Sequence, residues 1–188
     1  HQWHKHYEHH EGDTFCSKTS DLAVRWLEDN YRADPFFLWV DFFDPHEPFD
    51  APQKYRDLYE DTWDGYFYNW PAYDKLDPEL DNEEAVRHIR IRYAAALTMA
   101  DAWLGKLLDK LDEIEAWKDT TVILTTDHGH LLGEHGYWAK NYMFDYAELS
   151  HIPLFVCSPD CAKGRREALT ATIDLAPTIL EVHGGTPN

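Results

Sequence analysis

The sequence predicts an α/β domain with a mostly parallel sheet flanked by helices, and three observations carry that expectation. Short apolar runs bounded by turn residues recur at Phe36–Phe43, Thr120–Thr126 and Ile152–Cys157, the pattern of strands buried on both faces. A long stretch, Glu83–Trp117, sets apolar residues at steps of three and four between the first run and the second, as an amphipathic helix does. Finally, 188 residues suffice for one domain with a substantial core, whereas two would be a squeeze. Residues 1–188 are therefore taken as a single domain.

In chain order, His1–Gly12 holds five of the twelve histidines and reads as a surface segment in preference to a metal-binding tract. Asp21–Tyr31 places Leu22, Val24, Trp26 and Leu27 near helical spacing, with Thr19 and Ser20 as caps. Pro35 opens the first strand, Phe36–Phe43, and Asp44-Pro45-His46-Glu47-Pro48 stops it, because two prolines forbid continuation. Phe49–Leu80 is rich in Tyr, Trp, Asp and Pro without steady periodicity and reads as an excursion over the sheet edge. The stripe of the long helix runs Val86, Ile89, Tyr93, Ala96, Leu97, Ala100, Trp103, Leu104, Leu107, Leu111 and Ile114. The second strand ends at Asp127-His128-Gly129, the third is Ile152–Cys157, and Asp174–Val182 reads as a closing helix despite its proline.

Composition narrows the partners. A chain 44% hydrophobic with eight Trp is expected to pack rather than stay disordered. No apolar run approaches the ~20 residues that span a bilayer, and no basic region followed by an apolar stretch marks a signal peptide at the N-terminus. A formal charge of −18 repels nucleic acid and anionic membranes alike, so neither is expected as a partner. It also repels an anionic substrate unless a metal ion or buried cations reverse the field locally. Cys16, Cys157 and Cys161 follow no zinc or redox spacing and leave the compartment open.

In open α/β sheets, ligands bind beyond the carboxyl ends of the strands, and two predicted strands end in chemically loaded loops. His46 follows the first. Asp127 and His128 follow the second, with Gly129 allowing a tight turn. Where a strand breaks into a loop both side chains can turn toward one ion, and carboxylate oxygen with imidazole nitrogen suits a divalent cation. An Asp capping a loop beside a surface His is the competing reading of the pair alone. The stretch continues as DHGHLLGEHGYWAK, whose glycines let a loop fold back so that Lys140 presents an ammonium to an oxyanion.

Taken together these segments resemble the sulfatases of the alkaline phosphatase superfamily. TTDHGHLLGEHGYWAKNYMFD (Thr125–Asp145) is similar to their metal-binding Asp-His/Asn-Gly motif, the Gly-x-His-Gly turn and the active-site lysine. FFLWVDFFDPHEPF (Phe36–Phe49) is similar to the strand leading into a Pro-His-x-Pro turn whose histidine contacts sulfate. RYAAALTMADAWLGKLLDKL and IDLAPTIL resemble family segments in the same order. The resemblance implies an alkaline-phosphatase/sulfatase-like but incomplete fold. It also implies metal ligands at Asp127 and His128, and sulfate contacts from Lys140 and His46, with His46 protonating the leaving alcohol oxygen. Calcium is the expected metal, with manganese or magnesium behind it. The substrate would be a small-molecule or glycan sulfate ester.

The resemblance also shows what is missing. Sulfatases attack sulfur with a hydrated formylglycine, made from Cys or Ser in a Cys/Ser-x-Pro/Ala-x-Arg motif, and pass through a hemiacetal sulfate. None of CSKTS, CSPDC and CAKGR matches that motif. The paired aspartates and Lys-x-His segment of the family's N-terminal part are absent as well. The chain therefore reads as the central portion of a longer enzyme, inactive alone, with formylglycine expected outside it. A phosphonate monoester or phosphodiester hydrolase of the same superfamily is the alternative, and a non-catalytic metal-binding relic is another. Missing strands would leave a sheet edge open to self-pairing, hence a homo-oligomer.

Overall fold

The structure is a computed structural model and describes residues 11–33, 35–140 and 144–186. Helix α1 spans Phe15–Asn30 and begins at Thr14, whose side chain accepts the Ser17 amide at 3.2 Å, a standard way of satisfying a free N-terminal donor. The histidine-rich tract lies outside the described residues apart from Glu11 and Gly12.

α1 starts a turn and a half before the predicted Asp21, because its buried face is made of small residues that carry no hydrophobic signal. Cys16, Ser17, Ser20 and Ala23 lie there beside Leu27. Ser20 Oγ donates to the Trp103 carbonyl at 2.8 Å, so a short side chain lets α1 lie close against the long helix. That helix, α3, spans Glu83–Glu113 and is capped by Asn82, whose Oδ1 accepts the Ala85 amide at 2.9 Å. Between the two lies α2, Gln53–Arg56.

The predicted stripe on α3 is right for Ile89, Ala96, Trp103, Leu107 and Leu111, which are buried. Leu97 is exposed, and His88 and Arg92 are buried in its stead. Burial of these two is possible because their polar atoms are met. His88 lies 2.7 Å from Asp61 Oδ2 and 2.9 Å from the Tyr68 carbonyl. Arg92 donates to the Phe49 carbonyl and to Asp50, both at 2.8 Å.

The strands are short: β1 (Val122–Thr125), β2 (Leu131–Leu132), β3 (Trp138–Ala139) and, after the single-turn helix α4 (Ala147–Ser150), β4 (Leu154–Cys157). Helix α5, Leu175–Val182, closes the described chain with Pro177 in its first turn, where a missing N–H is tolerated. β1 pairs with β4 from Val122↔Cys157 to Thr125↔Leu154, and β2 pairs with β3. The α/β character is as expected, but both described ladders are antiparallel, not parallel. The connection from β1 to β4 holds a hairpin and one helical turn, so no crossover helix turns the second strand round, as a parallel pair would need.

Phe36–Phe43 is extended but joins no ladder among the described residues. Its exposure alternates, with Phe36, Leu38, Val40 and Phe42 inward and Phe37, Trp39, Asp41 and Phe43 outward. The expected burial on both faces is therefore half met: the inward row packs on the α1 and α3 clusters. β4 is exposed along its whole length. The chain exposes 13180 Å², against about 9300 Å² for a compact monomer of its mass.

Candidate active site

The turn that ends the extended segment is fastened on both sides. The Cys16 thiol donates to Asp44 Oδ2 at 2.8 Å, and the Phe49 amide and carbonyl bond Asn69 and Arg92. Burial, then Asp44, pushes the Cys16 thiol pKa up, so this cysteine stays protonated and is no nucleophile. Phe49 is fully buried and meets Tyr93 and His130 edge-on, at 5.5 and 5.4 Å between ring centres.

Held this way, His46 and Glu47 face the β2–β3 hairpin. His46 Nδ1 lies 2.8 Å from the Glu47 carbonyl. A carbonyl only accepts, so Nδ1 carries the proton and Nε2 is left for a ligand. The Glu47 side chain is 0% exposed. Its Oε2 lies 3.4 Å from His130 Nε2 and 3.5 Å from His46 Nδ1, and its Oε1 lies 4.0 Å from Lys140 Nζ. Burial raises the Glu47 pKa, but His130, the backbone, His46 and Lys140 outweigh it and hold the carboxyl below the usual range.

The hairpin sets the other half. Leu131 pairs with Ala139, so His130 and Lys140 are the next residues facing each other across the ladder. The hairpin is stapled to the excursion through Trp138 N to the Asp74 carbonyl and Leu76 N to the Gly136 carbonyl, both 2.9 Å. Trp138 is fully buried and its indole N–H donates to Asp81 at 2.8 Å. Gly133, at φ 95°, takes the left-handed turn that folds the hairpin back.

Asp127 and His128 lie just past β1. Asp127 Oδ1 accepts the His128 amide at 2.9 Å, and Oδ2 lies 3.3 Å from His128 Nε2. His128 Nδ1 lies 2.9 Å from the Gly129 carbonyl, so Nε2 is the nitrogen turned to Asp127. Among the described residues no group of three or more His, Cys, Asp or Glu could hold a metal, so the pair alone makes no metal site here.

The four predicted residues therefore form two pairs. His46 and Lys140 meet on Glu47, while Asp127 and His128 meet each other. No hydrogen bond or ion pair among the described residues links the pairs. They are tied through the chain, since His128 and His130 are two residues apart and their Cα atoms lie within ~7 Å. Glu47 and His130 were missed. The legible signal was the strand-like spacing of His128 and His130, which can put both on one side; nothing in the sequence singles out Glu47. His135 stacks on Tyr146 at 3.8 Å and lies 3.2 Å from Glu148, and Glu134 pairs with Arg90 at 2.9 Å. A separate cleft of ≈ 440 Å³, lined by Arg56, Asp61, Trp63, Phe67, His88 and Arg92 among others, contains none of the four.

A sulfatase family model matches residues 2–185. The chain is 30% identical over 174 residues to choline-sulfatase of Rhizobium meliloti (strain 1021), covering 83% of this chain and 33% of that protein. It is 31% identical over 174 residues to iduronate 2-sulfatase of Homo sapiens, covering 79% and 31%. In three dimensions it is similar to a phosphonate monoester hydrolase of Agrobacterium radiobacter, with a TM-score of 0.77 at 23% identity, covering 94% of this chain and 42% of that one. The chain spans about a third of the length of these curated relatives.

Proposed function

This chain belongs to the sulfatase family, and we propose that the protein carrying it hydrolyses sulfuric esters, with this segment supplying part of the metal site and part of the sulfate site. The carrying observation is that His46 and Lys140, remote in sequence, are held around one buried carboxylate. An ammonium and an imidazole gathered at one point suit the oxygens of a tetrahedral anion. The substrate class is a small-molecule or glycan sulfate ester.

In this reading Lys140 holds the ester's sulfate oxygens by its ammonium. His46, with Nδ1 committed to the Glu47 carbonyl, directs Nε2 at the substrate. As imidazolium it would hand the Nε2 proton to the bridging oxygen as the sulfur–oxygen bond breaks and a nucleophile supplied by the rest of the protein takes the sulfuryl group, so the alcohol leaves neutral. Asp127 and His128 fit a divalent cation by their donor set, calcium first and manganese or magnesium behind, completed by ligands from elsewhere. Such an ion supplies Lewis-acid neutralisation of the sulfate oxygens. Formylglycine does not fit this chain, since none of its three cysteines stands in the required motif and Cys16 is buried.

The test is steady-state kinetics of the intact gene product on an aryl sulfate and an aryl phosphodiester. The sulfate should be preferred, and His46→Ala and Lys140→Ala should each lower kcat/KM by about 100-fold or more. Dominant diesterase activity would place the protein with the phosphonate and phosphodiester hydrolases instead. Cation binding without hydrolysis of either ester would make it a binding relic.

A further inference from the structure

Glu47 is a buried ionisable group beside the proposed site that the mechanism leaves unused. Neither carboxylate oxygen has a hydrogen-bond partner among the described residues, and neither does His130 Nε2. A carboxylate withdrawn from water without hydrogen bonds is costly unless opposite charge surrounds it. Three nitrogen-bearing side chains do surround it, at 3.4, 3.5 and 4.0 Å. They come from two separate parts of the chain, the Asp44–Pro48 turn and the β2–β3 hairpin.

The gradient of exposure gives the arrangement a direction. Glu47 is 0% exposed, His130 8%, Lys140 12% and His46 37%. The carboxylate is thus the most deeply buried of the four, with the nitrogen-bearing side chains progressively nearer solvent. Since it is sealed from water and from any substrate, Glu47 does not itself exchange protons with one. Its carboxylate can act only through the residues it touches.

We propose that Glu47 is a positioning residue, an internal counter-anion that, buttressed by His130, fixes Lys140 and His46 from behind so that the outer faces of these two are set for a tetrahedral anion. This rests on the sulfatase reading for the identity of that anion. An ammonium drawn to a fixed charge behind it keeps its remaining N–H donors forward, and does so before substrate arrives, the preorganisation an anion site needs. A neutral amide of the same shape would fill the space and supply no such hold.

Two experiments decide it. In the first, the intact gene product and its Glu47→Gln variant are acylated with limiting acetic anhydride, and modification is followed residue by residue by mass spectrometry. Lys140 should react about fivefold faster or more in the variant as its anchor is lost, while the exposed Lys163 keeps its rate; a Lys140 rate within about twofold of the parent overturns the proposal. If Glu47→Gln does not fold, Glu47→Asp, which keeps the charge on a shorter arm, should give an intermediate Lys140 rate, and an unchanged one overturns it.

In the second, the intact gene product is assayed for aryl sulfate hydrolysis. Glu47→Gln should lower kcat/KM about tenfold or more, Glu47→Asp should restore part of that, and Glu47→Gln should add little in a Lys140→Ala background. Losses that simply multiply would show that Glu47 acts independently of Lys140. If the gene product hydrolyses no sulfate ester the functional reading fails, but the acylation result still decides the role of Glu47.

Discussion

Asp81 is the fastening on which the lysine-bearing hairpin depends, and its removal gives a worked prediction. Its Oδ1 accepts the Tyr68 hydroxyl at 2.7 Å, and its Oδ2 accepts the Asp77 amide and the Trp138 indole N–H, both at 2.8 Å. One carboxylate thereby joins the excursion, the approach to α3 and β3. In Asp81→Ala the Trp138 indole, at 0% exposure, is left as a buried donor without an acceptor, costing about 1–3 kcal/mol. Losing two further bonds to a half-exposed charge adds about 1 kcal/mol each at most after solvent screening. A total near 3 kcal/mol is expected, and at a urea m-value of about 2 kcal/mol/M it lowers the midpoint by about 1.5 M. Asp81→Asn keeps one good acceptor and should lose about half as much. Urea unfolding followed by tryptophan fluorescence measures both. A midpoint drop under about 0.5 M for Asp81→Ala would show that the hairpin does not hang on this carboxylate.

Gly129→Ala should unfold or displace the Asp127–Leu131 segment. The added Cβ would lie 1.8 Å from the Glu148 carbonyl oxygen, itself backbone; amide exchange at Gly129, whose N–H is bonded to Leu149 at 2.8 Å, should quicken, and unchanged protection would refute it. Glu47 is held below the usual carboxylate range, so the sign of its pH effect follows. Its contribution to stability is present above the unfolded pKa and is lost as pH falls through the lower folded value. The stability gap between parent and Glu47→Gln should accordingly close as pH drops from about 5 to about 3, and a gap that stays constant over that range counts against it. β1 and β4 each have a ladder on one side only among the described residues, so self-association is expected at high concentration, and a clean monomer by light scattering would refute that.

Much of the architecture was legible because periodicity survives without context. The steps of three and four through α3, the turn forced by Pro45 and Pro48, and the glycine-spaced run from Asp127 to Lys140 each mark their own structure. The start of α1 was not legible, since Cys16, Ser17 and Ser20 are buried by close helix packing and by bonds such as Ser20 to Trp103, which no hydrophobic scale registers. β1 and β4 were found but their sense was not, because apolar runs of this kind do not record direction; the two-residue strands β2 and β3 are too short to show a period. In the site, His46, Asp127 and His128 were readable from the strand ends, and Lys140 with its place beside His46 from the glycine-spaced loop and the family resemblance. The charge beneath them was not, for a glutamate between two prolines looks like any surface glutamate until the hairpin is placed over it.

The outward row of Phe37, Trp39 and Phe43, at 55, 68 and 49% exposure, gives the isolated chain a solubility window. At neutral pH a charge of −18 holds copies apart by repulsion over roughly a Debye length, about 8 Å in physiological salt. Near the isoelectric point of ≈ 4.9 that repulsion vanishes while the aromatic row remains. The same row that lies quiet in dilute buffer then becomes adhesive, so acidification or high salt should precipitate the chain and hydrophobic dyes should bind it while it is still folded.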